Sequence, residues 1–209
     1  MRPISLTFEH FGSYRERQRI DFSTLDDFFL IYGKTGSGKS TIFDAIAFAL
    51  YGQALGGRSN LERELVSQFS PPGSKPWVEF EFMASEARWR VYRSLPYKKM
   101  NRKGAESEAA SEVSFTRLHD SGEVELLTDR LAEANAALLK LLKLSADEFS
   151  KIVLLPQGAF QEFLEMKTTD RVEILEKLFD VSIYDRVTER AHQQALDLDS
   201  SLRIQREEM

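Results

Sequence analysis

Cysteine is absent from the 209 residues, and histidine occurs only at His10, His119 and His192. These absences exclude disulfides, Cys-ligated zinc, iron–sulfur clusters and thiol nucleophiles, and they leave no paired-histidine metal motif. A chain without cysteine fits a reducing compartment, so we expect a cytoplasmic protein.

Long apolar runs are also lacking. No stretch reaches the roughly 18 apolar residues of a membrane span, and the N-terminus has no apolar core of a secretory signal. We therefore expect neither secretion nor a membrane partner. With 42% hydrophobic residues the chain can nevertheless bury a substantial core.

The chain has no excess of positive charge, because 28 Lys and Arg stand against 33 Asp and Glu, for a net charge of −5. The whole chain is therefore not a basic nucleic-acid-binding module, and any DNA contact must come from a local patch. The candidate patch has seven basic residues within 16 positions: Arg88, Arg90, Arg93, Lys98, Lys99, Arg102 and Lys103. A solvated hairpin is the alternative, and later arginines at 186, 190 and 203 are a second candidate.

One glycine-rich loop is a specific signal. Residues 33–40 match G-x-x-x-x-G-K-[ST], after an apolar run at 28–32 that predicts a strand buried on both faces. Residues 40–51 follow with helical periodicity, and Gly52 stands where a C-terminal cap is expected. Backbone N–H groups and the helix N-terminus would then cradle a polyphosphate. The predicted cradle consists of Gly33, Lys34, Thr35, Gly36, Ser37, Gly38, Lys39, Ser40 and Thr41.

Within this cradle, Lys39 is predicted to reach the β- and γ-phosphates of ATP, and the Ser40 hydroxyl to ligate Mg²⁺. Hydrolysis normally also needs an acidic residue at the end of a second buried strand. No apolar run of four ends in Asp-Glu, and no LSGG-like segment occurs. The sequence therefore predicts an incomplete nucleotide site that another polypeptide segment completes.

The remaining periodicity predicts a mixed α/β chain. Strands are predicted at 4–8 and 19–22, and an antiparallel meander at 77–83, 88–94, 113–118 and 124–126. Surface loop is expected at 53–76, with a short helix opening at Ser59, and an irregular loop at 98–111. Helices are predicted at 128–142, 145–155, 168–179 and from 183 onward. The last helix carries a heptad-like seam at Ala191, Ala195, Leu198, Leu202, Gln205 and Met209, although an amphipathic helix lying on the domain fits the same pattern.

Three blocks of sequence carry a resemblance to a known family. They are LTFEHFGSY at 6–14, GKTGSGKSTIFDAIAFALYG at 33–52 and IVLLPQGAFQEFL at 152–164. Together they resemble the N-terminal ATPase segment of the SbcC family, the SMC-like subunits of bacterial SbcCD nucleases. One departure is Lys34, where relatives commonly have proline.

The resemblance implies an α/β P-loop NTPase fold, namely the N-terminal lobe of an ABC-type ATPase head with an antiparallel β subdomain. Residues 1–182 would form this half of the head, and residues 183–209 would begin a coiled coil. Gln157 would be the Q-loop glutamine that is linked to Mg²⁺ together with Ser40, and Lys39 and Gln157 would be the catalytic residues. The implied partners are the C-terminal half of the same ATPase, a second head, an SbcD-type nuclease subunit and double-stranded DNA.

Other classes remain open at this point. Another SMC-type repair or chromosome-organising ATPase shares these features, and a DNA tether that binds nucleotide without hydrolysing it is a further alternative. A P-loop kinase would alternate strands with helices, whereas here the β segments cluster between 77 and 126. In a transporter ATPase the Q-loop glutamine would stand nearer the P-loop than the 118 positions that separate Lys39 from Gln157.

Overall fold

The computed structural model describes residues 1–54, 65–100, 106–154, 164–178 and 182–207. The chain divides into two compact units, Met1–Glu165 and Met166–Met209. Among the described residues, no helix is both long and apolar enough to cross a membrane.

The first unit is organised around an antiparallel sheet. Its strands are β1 (Arg2–Glu9), β2 (Gln18–Asp21), β3 (Trp77–Ala84), β4 (Ala87–Ser94), β5 (Tyr97–Met100), β6 (Glu106–Ala109), β7 (Val113–Leu118) and β8 (Val124–Thr128). In the described part of the chain, six of them form one sheet in the order β2-β1-β3-β4-β7-β8, and β5 pairs with β6 in a separate hairpin. The predicted meander is thereby confirmed.

The core lies against one face of this sheet. Side chains alternate along each strand, so Leu6 and Phe8 of β1 share a face with Phe80 of β3 and Val91 of β4, and all four are buried. Helix α1 (Lys39–Tyr51) contributes Ile42, Ala45, Ile46, Ala49 and Leu50 to the same cluster. Helix α2 (Leu131–Leu142) adds Ala134 and Leu138.

The predicted helices are largely present. Gly52 caps α1 in the left-handed conformation, with φ 73°, as its position in the sequence predicts. Helix α3 (Ala146–Phe149) opens with a complete Ser145/Glu148 capping box and continues as a π-helical turn, Ser150–Leu154. The second unit contains α4 (Thr168–Leu178) and α5 (Ser182–Glu207). The helix start predicted at Ser59 lies outside the described residues.

The strand predicted at 28–32 is wrong. No described strand pairs with this run, and three of its side chains are open to solvent: Phe28 is 95% exposed, Leu30 83% and Tyr32 88%. The other two are partly covered, because Ile31 packs against the core and the Phe29 ring contacts Phe22. A strand is stable only with neighbours that take its backbone hydrogen bonds and cover its faces. The described part of the chain supplies no strand that takes these hydrogen bonds and covers only part of the run, so the run does not form a strand.

The irregular loop predicted at 98–111 is also wrong in part, because β5 and β6 form a hairpin there. Lys98 stands opposite Glu108, so opposite charges face each other across the pair. The absence of an apolar period therefore does not exclude pairing. Residues 101–105, between the two strands, lie outside the described residues.

Candidate functional site

The glycine-rich loop leads directly into α1. Gly36 and Gly38 have φ angles of 82° and 88°, in the left-handed region that only glycine adopts without strain. Gly38 is the N-cap of α1, and no side chain caps the helix. The first N–H groups of α1 therefore lack a side-chain acceptor, as an anion site at a helix N-terminus requires.

Lys39, the first residue of α1, folds its side chain back over the loop. Its Nζ donates to the carbonyl oxygens of Gly33 and Lys34, each at 2.9 Å. The ammonium group thus lies against the loop in which a polyphosphate would bind. Phosphate oxygens are stronger partners for an ammonium group than neutral carbonyls are.

Tyr14 also contacts the glycine-rich loop, although the motif at 33–40 does not predict this role. Its hydroxyl donates to the carbonyl oxygens of Ser37 and Gly38, each at 3.4 Å, and its ring packs edge-on against Phe8 at 5.1 Å. Burial raises the pKa of Tyr14, which keeps the phenol protonated as a donor. The sequence motif does not predict this contact, because Tyr14 and Gly38 are 24 positions apart and meet only in the folded chain.

A cavity of about 290 Å³ lies beside the end of the loop. It is lined by Gly12, Ser13, Thr41, Asp44, Leu65, Val66, Gln68 and Phe69. Gly12 has φ 55°, and a Cβ there would collide with Cγ2 of Thr41. The absence of a side chain at Gly12 therefore lets the β1–β2 turn approach Thr41 closely.

The predicted cradle residues 33–41 are brought together as one loop and helix start, with Thr35, Ser37 and Ser40 exposed. Gln157 lies outside the described residues, so its predicted part in catalysis and Mg²⁺ binding stays a prediction. No group of three or more His, Cys, Asp or Glu residues able to hold a metal is found in the described part of the chain.

A matched pair of glycine substitutions tests the packing of Tyr14 against the loop. A Cβ at Gly38 would stand 2.6 Å from the Tyr14 ring, whereas a Cβ at Gly36 meets nothing within 4 Å. Both positions carry a similar backbone strain of about 1–2 kcal/mol for a non-glycine residue. We expect Gly38→Ala to weaken ATP binding about tenfold more than Gly36→Ala, as measured by calorimetry. Equal losses in the two variants would contradict the importance of this contact.

The basic patch predicted for DNA needs one correction. Arg93 is only 2% exposed, because the alternation of β4 directs it into the core together with Val91. Arg88 and Arg90 face the other way, and each pairs with Glu81 at 2.6 Å. Burial alone would raise the pKa of Glu81, but hydrogen bonds from Arg88 and Arg90 hold it below its usual value. Arg102 and Lys103 lie outside the described residues.

The family model described as an AAA domain matches residues 5–209. The SbcC polypeptide of the SbcCD nuclease of Treponema pallidum is 34% identical over 209 residues, which cover 100% of this chain and 20% of that protein. The corresponding SbcC polypeptide of Vibrio cholerae is 33% identical over 195 residues, 91% of this chain and 19% of that protein. This chain thus spans about a fifth of the length of the curated relatives it matches.

Among solved structures, the Smc head domain with a coiled coil and joint from Pyrococcus yayanosii aligns with a TM-score of 0.55 at 23% identity. The alignment covers 96% of this chain and 36% of that one. The chain therefore shares the fold of part of an Smc head domain, which confirms the predicted P-loop NTPase class with an antiparallel subdomain.

Proposed function

Because the chain belongs to the AAA domain family and is similar to SbcC polypeptides over its whole length, we propose that it is the ATP-binding part of an SMC-like DNA-repair ATPase. The observation that carries this proposal is the position of Lys39, whose Nζ lies 2.9 Å from two loop carbonyls at an uncapped helix N-terminus. A cation beside helix N-terminal N–H groups that no side chain caps is the donor set that a nucleotide polyphosphate needs.

Mg²⁺ fits the same site. The Ser40 side chain is exposed at the start of α1, immediately after Lys39, where its hydroxyl would hold the ion together with the predicted ligand Gln157. Mg²⁺ would supply positive charge that neutralises the phosphate oxygens. The neighbouring 290 Å³ cavity at Thr41 would take the nucleoside part of ATP.

The exposed run at 28–32 supports the proposal that the C-terminal half of the same ATPase completes this site. Phe28, Leu30 and Tyr32 lie just before the loop, and they are the exposed side chains of an apolar run that pairs with no described strand. A segment that pairs with this run would cover it and would bring its own residues to the edge of the loop. Such a segment is the natural carrier of the acidic residue and signature segment that this sequence lacks.

The similar proteins of Treponema pallidum and Vibrio cholerae are named as subunits of a nuclease, which suggests further partners. We propose that two heads dimerise on ATP and control an SbcD-type subunit that cleaves double-stranded DNA ends and hairpins, in the cytoplasm. The long α5 would begin the coiled coil, with residues 1–182 forming the half-head. With Arg93 excluded, the remaining basic residues of the patch, chiefly Lys98, Lys99, Arg102 and Lys103, would contact the phosphate backbone of DNA.

Reconstitution tests this function. We expect the 209-residue chain alone to show negligible ATP turnover, and addition of a polypeptide comprising the C-terminal half of the head to restore it, since hydrolysis needs the acid on the second strand. Phosphate release measured with and without that half gives the comparison, and Lys39→Ala in the reconstituted head is the control. Robust Lys39-dependent turnover by the chain alone would instead favour a self-contained ATPase or a kinase.

A further inference from the structure

Tyr14 contacts two consecutive peptide groups of the glycine-rich loop. Its hydroxyl lies 3.4 Å from the carbonyl oxygen of Ser37 and 3.4 Å from that of Gly38, so its single proton is shared between them. These two carbonyls belong to the peptide groups that join residues 37–38 and 38–39. One side chain therefore restrains both peptide planes at the start of α1.

The orientation of these planes decides where their N–H groups point. Both peptide groups are trans, so their C=O and N–H bonds point in opposite directions. Since the carbonyls turn toward Tyr14, the N–H groups of Gly38 and Lys39 are directed away from the phenol. Among the described residues, neither of these N–H groups has an acceptor. Both are therefore donors left for an anion at the N-terminus of α1.

Tyr14 is itself held by the core and not by the loop. Its ring packs edge-on against Phe8 at 5.1 Å, and its N–H donates to the carbonyl oxygen of Phe11 at 2.9 Å. Phe8 and Phe11 are both fully buried. The hydroxyl is thus presented from a fixed position. It can therefore restrain a loop whose preceding segment, 28–32, pairs with no described strand.

The Tyr14 ring and the loop also fit closely. Gly38 is buried, and a Cβ on it would stand 2.6 Å from Cε2 of the ring. Ser37 and Ser40, on either side of Gly38 in the chain, are exposed. The phenol therefore occupies one side of the loop as part of the fold, and it leaves the flanking residues open to solvent.

We propose that Tyr14 is a positioning residue of the nucleotide site, whose hydroxyl holds the N–H groups of Gly38 and Lys39 toward the phosphates of ATP. This inference rests on the proposed nucleotide function and deepens it, because a residue outside the motif orients the backbone donors of the motif. Donors that are fixed before binding lose less conformational freedom when the ligand arrives. A hydrogen bond to each carbonyl also polarises its peptide group, which makes the N–H a stronger donor.

Tyr14→Phe tests the proposal, because it removes the hydroxyl and keeps the ring against Phe8 and Gly38. Calorimetry on the chain joined to the C-terminal half of the head should give about fivefold weaker binding of Mg-ATP, the effect of losing one shared neutral hydrogen bond. Binding of Mg-pyrophosphate should weaken by the same factor, because the N–H groups of the loop would contact phosphate and not the nucleoside.

Tyr51→Phe is the matched control. Tyr51 is the last residue of α1, about 18 Å along the helix from Lys39. Its hydroxyl has no hydrogen-bond partner among the described residues. The same loss of a hydroxyl at this position should leave the affinity for Mg-ATP within about twofold of the parent.

The amide resonances of Gly38 and Lys39 separate a positioning role from a merely structural one. At saturating Mg-ATP, both resonances should shift in the parent and shift markedly less in Tyr14→Phe, while the Tm of the free proteins stays similar. Equal affinity in Tyr14→Phe and the parent, or weaker binding with unaltered amide shifts, would overturn the positioning role and leave the nucleotide function intact. A parent that binds Mg-ATP no better than Lys39→Ala would overturn the nucleotide function, and this inference with it.

Discussion

Replacing Lys39 by alanine is expected to reduce the affinity for Mg-ATP by about 100-fold or more, which in practice abolishes binding. The Lys39 ammonium lies over the loop between the carbonyl oxygens of Gly33 and Lys34, where it would meet the β- and γ-phosphates. Two charge-assisted hydrogen bonds at about 1.5–3 kcal/mol each account for a loss of this size.

Calorimetry on the chain joined to the C-terminal half of the head is the measurement. Lys34→Ala is the matched control, because Lys34 contributes its backbone carbonyl to the Lys39 contact and its own side chain is exposed. That variant should bind within about threefold of the parent, the effect of a surface charge. Unchanged affinity in Lys39→Ala would refute the assignment of the nucleotide site to this loop.

Arg93→Ala should destabilise the fold by about 3–5 kcal/mol, the largest effect on stability that we expect from one substitution. The substitution removes the donors to Ala49 O, Leu50 O and Asn135 Oδ1, and it leaves a void where the buried side chain packed. The three acceptors belong to α1 and α2, so both helices lose their hydrogen bonds to Arg93 of β4 together.

Urea unfolding monitored by circular dichroism gives the free energy of unfolding for this comparison. Arg90→Ala serves as control, because Arg90 lies on the same strand but points to the opposite face, and Glu81 keeps Arg88 as a partner. Its expected cost is about 1 kcal/mol. Equal destabilisation by the two substitutions would show that the buried contacts of Arg93 contribute nothing beyond those of a surface arginine.

Local chemistry explains which features the sequence could predict. The motif of the glycine-rich loop, the periodicity of α1, the cap at Gly52 and the alternation of β3, β4, β7 and β8 depend on neighbours a few positions away. Tyr14 and Gly12 could not be found in this way, since their contacts with Gly38 and Thr41 exist only once the chain has folded.

The strand predicted at 28–32 and the surface position predicted for Arg93 were wrong because each rested on residue type alone. The apolar run at 28–32 has the composition of a buried strand, but hydrophobicity does not indicate whether a pairing partner is present. Arg93 was assigned to a basic surface because of its charge, although the buried Val91 two positions earlier already indicated that its side chain points inward. Alternation along a strand was the better guide there.

The exposed side chains in the run at 28–32 have a consequence for how such a protein is synthesised. If its cover is a segment encoded later in the polypeptide or carried by another chain, these side chains leave the ribosome well before that cover exists. During this interval Phe28, Leu30 and Tyr32 are open to chaperones and to the same run on neighbouring nascent chains. The order of translation, and not only the final contact, then decides how much of the protein reaches its assembled state.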